Sequence, residues 1–379
     1  MLVYSARHQC LNQFNSIESD QYTFTNDRDV AFASTDIKIG IFDFNWIQEN
    51  ASDPRLDDFK KIIVVGTEMW YNDGFVDFQW ISNVTDFVKQ YPNWHFFLPG
   101  DNDKLDNQYF YPHWFGIAWH YSNRLSGELD LVQSGIKPKL FDCLLGLYKP
   151  HRSYVYYRLL ESGLLDQSIC SYGRGGKAIE DHIRTAEKES PDFIKNLYLK
   201  HGNPTVPIWI GNKHDIYNFD GSLRDSADEN LYGSAMATLY KNYIITIGNI
   251  LPIDIYNQSA YSIVTETAYN YNFYTEKIVK PILGKRLFVV FAAAGYLKGL
   301  HSVGVKTFGD IIDESYDLEQ NDETRWSMAI DQIKKLASMD QATVLSAIQD
   351  RVEYNQRLML DTNWQGDSVK KIQEIIASI

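Results

Sequence analysis

The sequence predicts an α/β protein of two Rossmann-like domains facing a cleft, with helices at its C-terminal end. Three observations predict it. Short, wholly apolar runs alternate with amphipathic stretches along most of the 379 residues. The alternation comes in two successive series, the second starting near residue 139. From residue 325 onward the pattern is helical alone. Parallel strands need a crossover between them, most often a helix, so strand-helix-strand alternation argues for parallel sheets. A chain of this length accommodates two domains.

In the first series, residues 37–44 (IKIGIFDF) read as a strand and residues 61–65 (KIIVV) as a second, closed by Gly66. Residues 77–91 read as a helix, because Phe78, Ile81, Val84, Phe87 and Val88 recur at helical spacing. Residues 94–99 form the next strand. The second series opens with the apolar run 140–147, then Lys149-Pro150-His151-Arg152 and a helix through Tyr154, Val155, Leu159 and Leu160 that stops at Gly163. Residues 169–172 read as a strand ended by Gly173-Arg174-Gly175-Gly176. The stretch 177–233 is polar, holds Pro191, Pro204 and Pro207, and reads as an insertion. Alternation resumes with a strand at 243–247, a short helix at 252–258, a strand at 261–264, a helix at 273–283 and a strand at 287–291. The small-residue turn 292–295, a helix through Leu300 and a short strand at 305–308 follow. In the last helical region Met328, Ile330, Ile333 and Leu336 share a face. The domain division expected is 1–138, then 139–355 with its insertion at about 177–233, then a helical segment 356–379.

Composition narrows the function. With 49 acidic and 36 basic side chains the formal charge is -13, which argues against nonspecific nucleic-acid binding by clustered Lys and Arg. Three cysteines, Cys10, Cys143 and Cys170, are too few for a disulfide scaffold or a four-thiolate zinc site and read as buried thiols. The start has no apolar core of secretory length, and no window reaches the 18 or so apolar residues of a membrane span. The expectation is a cytoplasmic protein. Twenty-five tyrosines suit half-wet clefts, since each carries an apolar ring and a polar tip.

Ligands of open parallel sheets sit beyond the carboxyl ends of the strands, so residues directly after strands are the candidates. Glu266 follows the strand 261–264. After a Tyr- and Asn-rich loop, Thr275 is placed to cap a helix whose first turn carries Glu276 and Lys277. A helix start favours a bound phosphate, and Lys277 adds a positive charge. Carboxylates accept bonds from sugar hydroxyls, so this set suits a ligand that is half sugar and half phosphate. A capped surface helix with an adjacent charge pair is the plain alternative. Pro150 stiffens the chain before Arg152, whose planar guanidinium matches two phosphate oxygens; an exposed Arg at a helix start is the alternative there. The Gly173–Gly176 turn allows backbone to approach a phosphate, or is an ordinary loop. Asp101-Asn102-Asp103 has the spacing of a divalent-metal site and equally of a polar turn. His113 and His120 sit in an aromatic run and read as packing or acceptor-lining residues rather than metal ligands.

Two of these segments resemble the donor-binding half of the family-10 glycosyltransferases, the α1,3-fucosyltransferases. That family has a strand ending in Glu-Asn-Ser or Glu-Asn-Thr, then an aromatic residue, any residue and Thr-Glu-Lys on a helix. Here Glu266-Thr267 stands at the first place and Phe273-Tyr274-Thr275-Glu276-Lys277 at the second, with the family's interval of ten residues between the two glutamates. His151-Arg152 is similar to the family's upstream arginine turn. The resemblance implies a GT-B fold whose first domain binds acceptor and whose second binds donor. It implies that Arg152 and Lys277 hold the donor diphosphate and that Glu276 holds the ribose or the transferred sugar. Phe273 and Thr275 would complete the donor site, and Glu266 would act near the reacting centre. The family's Thr-Gly-Glu, with its catalytic glutamate, has a counterpart of swapped order in Gly66-Thr67-Glu68, so Glu68 is the candidate base. Thr267 stands where the family has Asn, the family's Pro in the following strand is replaced near Leu287, and the interval from Arg152 to Glu276 is longer. The run 295–317 has no place in the pattern.

The implied activity is transfer of a sugar from a nucleoside diphosphate, with guanosine diphosphate fucose as the candidate donor, to a hydroxyl of a carbohydrate or other acceptor. It would be inverting and independent of metal or other cofactor. The alternatives are a single-Rossmann (GT-A) transferase using a metal on Asp101 and Asp103, and a nucleotide-sugar or glycan-binding protein without turnover.

Overall fold

The computed structural model describes residues 2–5, 23–66, 86–100, 105–146, 149–172, 191–202, 204, 206, 237–240, 243–246, 250–269 and 272–378. The chain divides into two units. The first comprises Met1–Gly116 and Asn363–Ile379, the second Ile117–Thr362.

The first unit is built on a six-stranded sheet of β1 (Leu2–Ser5), β2 (Thr23–Thr25), β3 (Lys38–Asp43), β4 (Phe59–Val65), β5 (His95–Leu98) and β6 (Gln108–Phe110). Its order is β2-β1-β3-β4-β5-β6, and every pairing is parallel. A sheet covered on both faces buries nearly every strand residue, and five of the six residues of β3 are buried. Alternate residues Ile39 and Ile41 of β3, Ile63 and Val65 of β4, with Val3 and Phe97, share one face. Ile372, Ile375 and Ile376 of the helix Gly366–Ala377 cover it. That spacing puts three apolar side chains on one stripe of the helix. The chain therefore ends on its first sheet, a return that nothing in the local pattern of residues 366–377 announces.

The second unit holds β7 (Lys139–Leu144), β8 (Ser168–Ser171), β11 (Ser259–Thr265) and β12 (Phe288–Phe291) in the order β12-β11-β7-β8, again all parallel. β9 (Ala237–Tyr240) and β10 (Tyr243–Thr246) make a separate antiparallel pair. All seven residues of β11, a central strand, are buried. The helices Pro150–Glu161, Glu276–Leu283 and Tyr296–Ser302 follow β7, β11 and β12. Two longer helices, Asp322–Ser338 and Gln341–Asp361, close the unit. Trp326, fully buried, gathers Tyr154, Phe193, Tyr269 and His151 around its ring at centroid distances of 5.2–6.1 Å.

A buried ion pair pins the sheet. Arg286 Nη2 lies 2.6 Å from Asp142 Oδ2, and its other donors reach Ser262 Oγ and the carbonyls of Tyr256, Ser259 and Tyr261. Ser259 and Ser262 also donate to Asp142. Every charge is thereby hydrogen-bonded, the condition for burying one at tolerable cost.

Two expectations change. Residues 305–308 are not a strand. Their amides are spent elsewhere: Val305 on the Leu300 carbonyl, Lys306 on Asn355 Oδ1 and Phe308 on Glu314 Oε1. The helix expected from residue 273 starts at Glu276, because Thr275 is extended and caps it. The unplaced run 295–317 is closed by its own acids: Asp317 accepts from the amides of Leu297 and Lys298, at the start of the helix Tyr296–Ser302.

Candidate functional site

Because β7, β8, β11 and β12 run parallel, the residues following each of them lie along one edge of the sheet. Three segments meet there: residues 145–146 and 149–152 after β7, residues 266–269 and 272–277 after β11, and the helix at Tyr296 after β12.

The turn after β7 passes through Gly146 at φ 60°, in the left-handed region that favours glycine. A Cβ there would lie 3.4 Å from Arg152 Nη1, in ordinary contact with the guanidinium, so it is the positive φ that calls for glycine. Pro150 begins the helix Pro150–Glu161, where its missing N–H costs nothing. Arg152, 4% exposed, turns back to β11 and donates from Nη2 to the carbonyls of Glu266 at 3.1 Å and Thr265 at 3.5 Å. Burial brings its pKa down to about 10, so it stays charged at neutral pH. His151 lies beside it, also buried. Burial, then the neighbouring guanidinium, pushes its pKa well below the ordinary value, so the ring is neutral. Its Nε2 is 2.8 Å from the Glu266 carbonyl, which only accepts, so Nε2 carries the proton. Lys149, half-buried, donates to the carbonyl of Thr267.

Glu266 is fully buried. Its carboxylate accepts from Thr275 Oγ1 at 2.6 Å, Tyr296 Oη at 2.6 Å, the Thr267 amide at 3.1 Å and the Thr275 amide at 3.2 Å. Four donors meet the four lone-pair sites of a carboxylate. Burial nonetheless raises its pKa, against the lowering pull of Lys277 and of these bonds. The same carboxylate raises the Tyr296 phenol, on top of burial. The side chain is thus a clamp joining the end of β11, the cap of the next helix and the helix after β12. A role at the reacting centre would need this clamp to open.

Thr275 caps the helix Glu276–Leu283 by accepting from the Lys277 amide at 3.3 Å. The Lys277 ammonium reaches Glu276 Oε1 at 2.8 Å, Thr267 Oγ1 at 3.1 Å and Thr275 Oγ1 at 3.4 Å. The side chains of Lys277 and Glu276 keep 28% and 17% exposure, so both reach the surface of this edge. Burial raises the Glu276 pKa and the Lys277 ammonium outweighs it, leaving the carboxyl below its ordinary value and ionised. Phe273 and Tyr274 are buried; the Tyr274 hydroxyl donates to the Tyr296 carbonyl.

Arg152, Glu266, Phe273, Thr275, Glu276 and Lys277 are thus brought to one strand end. Glu68, Asp101, Asp103 and the Gly173–Gly176 turn lie outside the described residues. Cys143 and Cys170 face each other across β7 and β8, both buried. His113 packs on Tyr111, and His120, on the helix Ile117–Asn123, has its pKa lowered by burial. Among the described residues no group of three or more His, Cys, Asp or Glu is placed to hold a metal ion, and no helix is long and apolar enough to cross a membrane. Lys149 and Thr267, named from sequence only as members of their motifs, join the site, and so does Tyr296, which sequence reasoning missed. Lys149 carried a signal, its place just before Pro150; Tyr296 carried none.

No protein-family model and no curated protein matches this sequence. Solved structures do. One is an α,α-trehalose 6-phosphate synthase from Burkholderia multivorans, 12% identical over 93% of this chain and 73% of that one, with a TM-score of 0.44. Another is an α1,3-fucosyltransferase, 9% identical over 93% of this chain and 80% of that one, TM-score 0.42. A third is a UDP-forming α,α-trehalose-phosphate synthase from Burkholderia vietnamiensis, 11% identical over 92% and 77%, TM-score 0.41. At such identities none of these likenesses assigns a reaction to this chain.

This chain is an α/β protein of parallel sheets. Lys149, Arg152, Glu266, Glu276 and Lys277 lie together at the carboxyl edge of its four-stranded sheet.

Proposed function

We propose that the protein is a glycosyltransferase that moves a sugar from a nucleoside diphosphate to a hydroxyl acceptor, with the second unit holding the donor. One observation carries the reading. Cations from two helices, more than a hundred residues apart, meet on residues 265–267 at the end of β11, beside the capped start of the helix Glu276–Leu283.

In such a transfer the acceptor oxygen bonds to the anomeric carbon while the bond from that carbon to the diphosphate oxygen breaks. Negative charge grows on the leaving diphosphate. Lys277 and the helix start are positioned to stabilise it, and fixed charges of this kind need no reorganisation during the reaction. Glu276, ionised and at the surface of the edge, accepts from hydroxyls of the ribose or the sugar. Phe273 and Thr275 hold the loop that presents them. Glu266 acts as a positioning residue through its clamp. The proton leaves the acceptor for a base, assigned to Glu68 on the family resemblance. The same resemblance supports inversion at the anomeric carbon, independence of metal, and guanosine diphosphate fucose as the first donor to try.

The test is a thermal-shift screen of nucleotides and nucleotide sugars, followed by a transfer assay with and without EDTA. A ligand at a hundred times its dissociation constant adds about 2.7 kcal/mol of apparent stability. Stabilisation by a nucleoside diphosphate and transfer that survives EDTA are the expected results. Transfer lost with EDTA would favour a metal on Asp101 and Asp103. Binding without turnover would make the chain a binding protein.

A further inference from the structure

We infer that the pair gripping the diphosphate is Lys149 and Lys277, bridged by Thr267, and that Arg152 is a brace beneath them rather than a ligand contact. The inference rests on the donor-site reading above and revises which cations serve it.

Arg152 is 4% exposed, and its Nη2 is committed to two backbone carbonyls of the strand end. A guanidinium so placed fixes the direction in which residues 265–267 leave the sheet. Turning Nη2 to a solvent-borne phosphate would break both bonds; the Glu266 carbonyl would keep His151 Nε2 at 2.8 Å, while the Thr265 carbonyl would lose this donor, which is costly. Lys149 and Lys277 differ on each point. Both keep part of their surface in contact with solvent. Both ammonium groups land on the same residue: Lys149 on the Thr267 carbonyl, Lys277 on the Thr267 hydroxyl at 3.1 Å. Thr267 thereby brings together two flexible, positively charged chains that are more than a hundred positions apart in sequence.

The helices add to this. Lys149 is the N-cap residue of the twelve-residue helix Pro150–Glu161, and Lys277 lies in the first turn of Glu276–Leu283. Two helix starts, each the positive end of a peptide dipole, flank the same strand terminus. Lys277 is also paired with Glu276 Oε1 at 2.8 Å, so a doubly charged anion at this edge competes with that carboxylate for Lys277 and takes Lys149 as its second cation. The ligand chemistry is therefore a diphosphate, with one ammonium to each phosphate. Lysine is suited to this as a mobile point charge; the buried arginine is not.

The experiment measures inorganic pyrophosphate binding to the full chain by titration calorimetry, at two salt concentrations, for wild type, Lys149→Gln, Lys149→Arg and Lys277→Met. Gln can still donate to the Thr267 carbonyl, so Lys149→Gln removes charge while keeping the hydrogen bond, and its melting temperature reports whether the fold is intact. Lys149→Gln and Lys277→Met are each expected to weaken pyrophosphate about tenfold, the loss of one charge-assisted contact, and to flatten the salt dependence. Lys149→Arg is expected to restore most of the affinity. A folded Lys149→Gln protein that binds pyrophosphate as wild type does overturns the inference, as does a wild type that binds none. If wild type binds pyrophosphate through both lysines but no nucleotide sugar is ever bound or turned over, this inference stands and the transferase reading falls.

Discussion

Glu266 and Thr275 are joined twice, the Thr275 hydroxyl at 2.6 Å and its amide at 3.2 Å both donating to the one buried carboxylate. The contact ties two residues nine positions apart, and the start of the helix carrying Glu276 and Lys277 is held against the end of β11. The geometry of the candidate site depends on that closure more than on any exposed residue.

Glu266→Gln is expected to destabilise the protein by about 1–3 kcal/mol, despite its equal size. An amide has one acceptor oxygen and one NH2 group. In either orientation the NH2 meets a fixed backbone N–H, that of Thr267 or that of Thr275. Urea unfolding measures the loss, and an unchanged midpoint would show that the clamp is dispensable.

His151 makes stability depend on pH. Its folded pKa lies well below the ordinary 6.5 of the unfolded chain. The unfolded state therefore binds a proton first as pH falls. The stability this neutral ring contributes is present above about pH 6.5 and is lost as pH drops below it, by up to about 1.4 kcal/mol per pH unit. Urea unfolding between pH 7 and pH 5 is expected to be steeper in wild type than in His151→Gln, which keeps a donor for the Glu266 carbonyl. Parallel slopes would refute this.

Arg286→Met leaves Asp142 charged and unpaired in the core, at an expected cost of about 3–5 kcal/mol. Replacing both residues by apolar ones is expected to recover part of that, since the orphaned charge is then gone. Melting temperatures of the two variants decide it; a double variant no more stable than the single one would place the cost in lost packing.

Glu276→Gln separates the two halves of the proposed donor. Its carboxylate is both the partner of Lys277, at 2.8 Å, and the group assigned to sugar or ribose hydroxyls. Nucleotide-sugar affinity is expected to fall about tenfold, while pyrophosphate affinity holds or rises, because Lys277 is released from a competing anion. Equal losses for both ligands would mean that Glu276 acts only by placing Lys277.

Glu68→Gln is expected to abolish transfer while sparing donor affinity. Normal turnover in that variant would move the base to another residue.

Much of the architecture was legible in the chain because it is local. The run KIIVV lies within β4, and the apolar stretch before Glu266 within β11. Thr275 caps the helix as its position suggested, since capping involves only the next three residues. Residues 305–308 misled for the opposite reason. Their apolar content resembles a strand, but Asn355 and Glu314, distant or not yet folded back, claim the amides that a ladder would need.

What the sequence determined by itself is the set of short-range choices: strand or helix for most segments, the cap at Thr275, and the kinds of charged group left at strand ends. Only the tertiary structure decided what each of those groups faces. Arg152 and Lys149 are three residues apart on one turn, yet one is sealed against the carbonyls of β11 and the other remains half in water. That difference is set by contacts between segments more than a hundred residues apart. Local patterning carries no record of them, because burial and partner choice follow from where the sheet brings separate strands together.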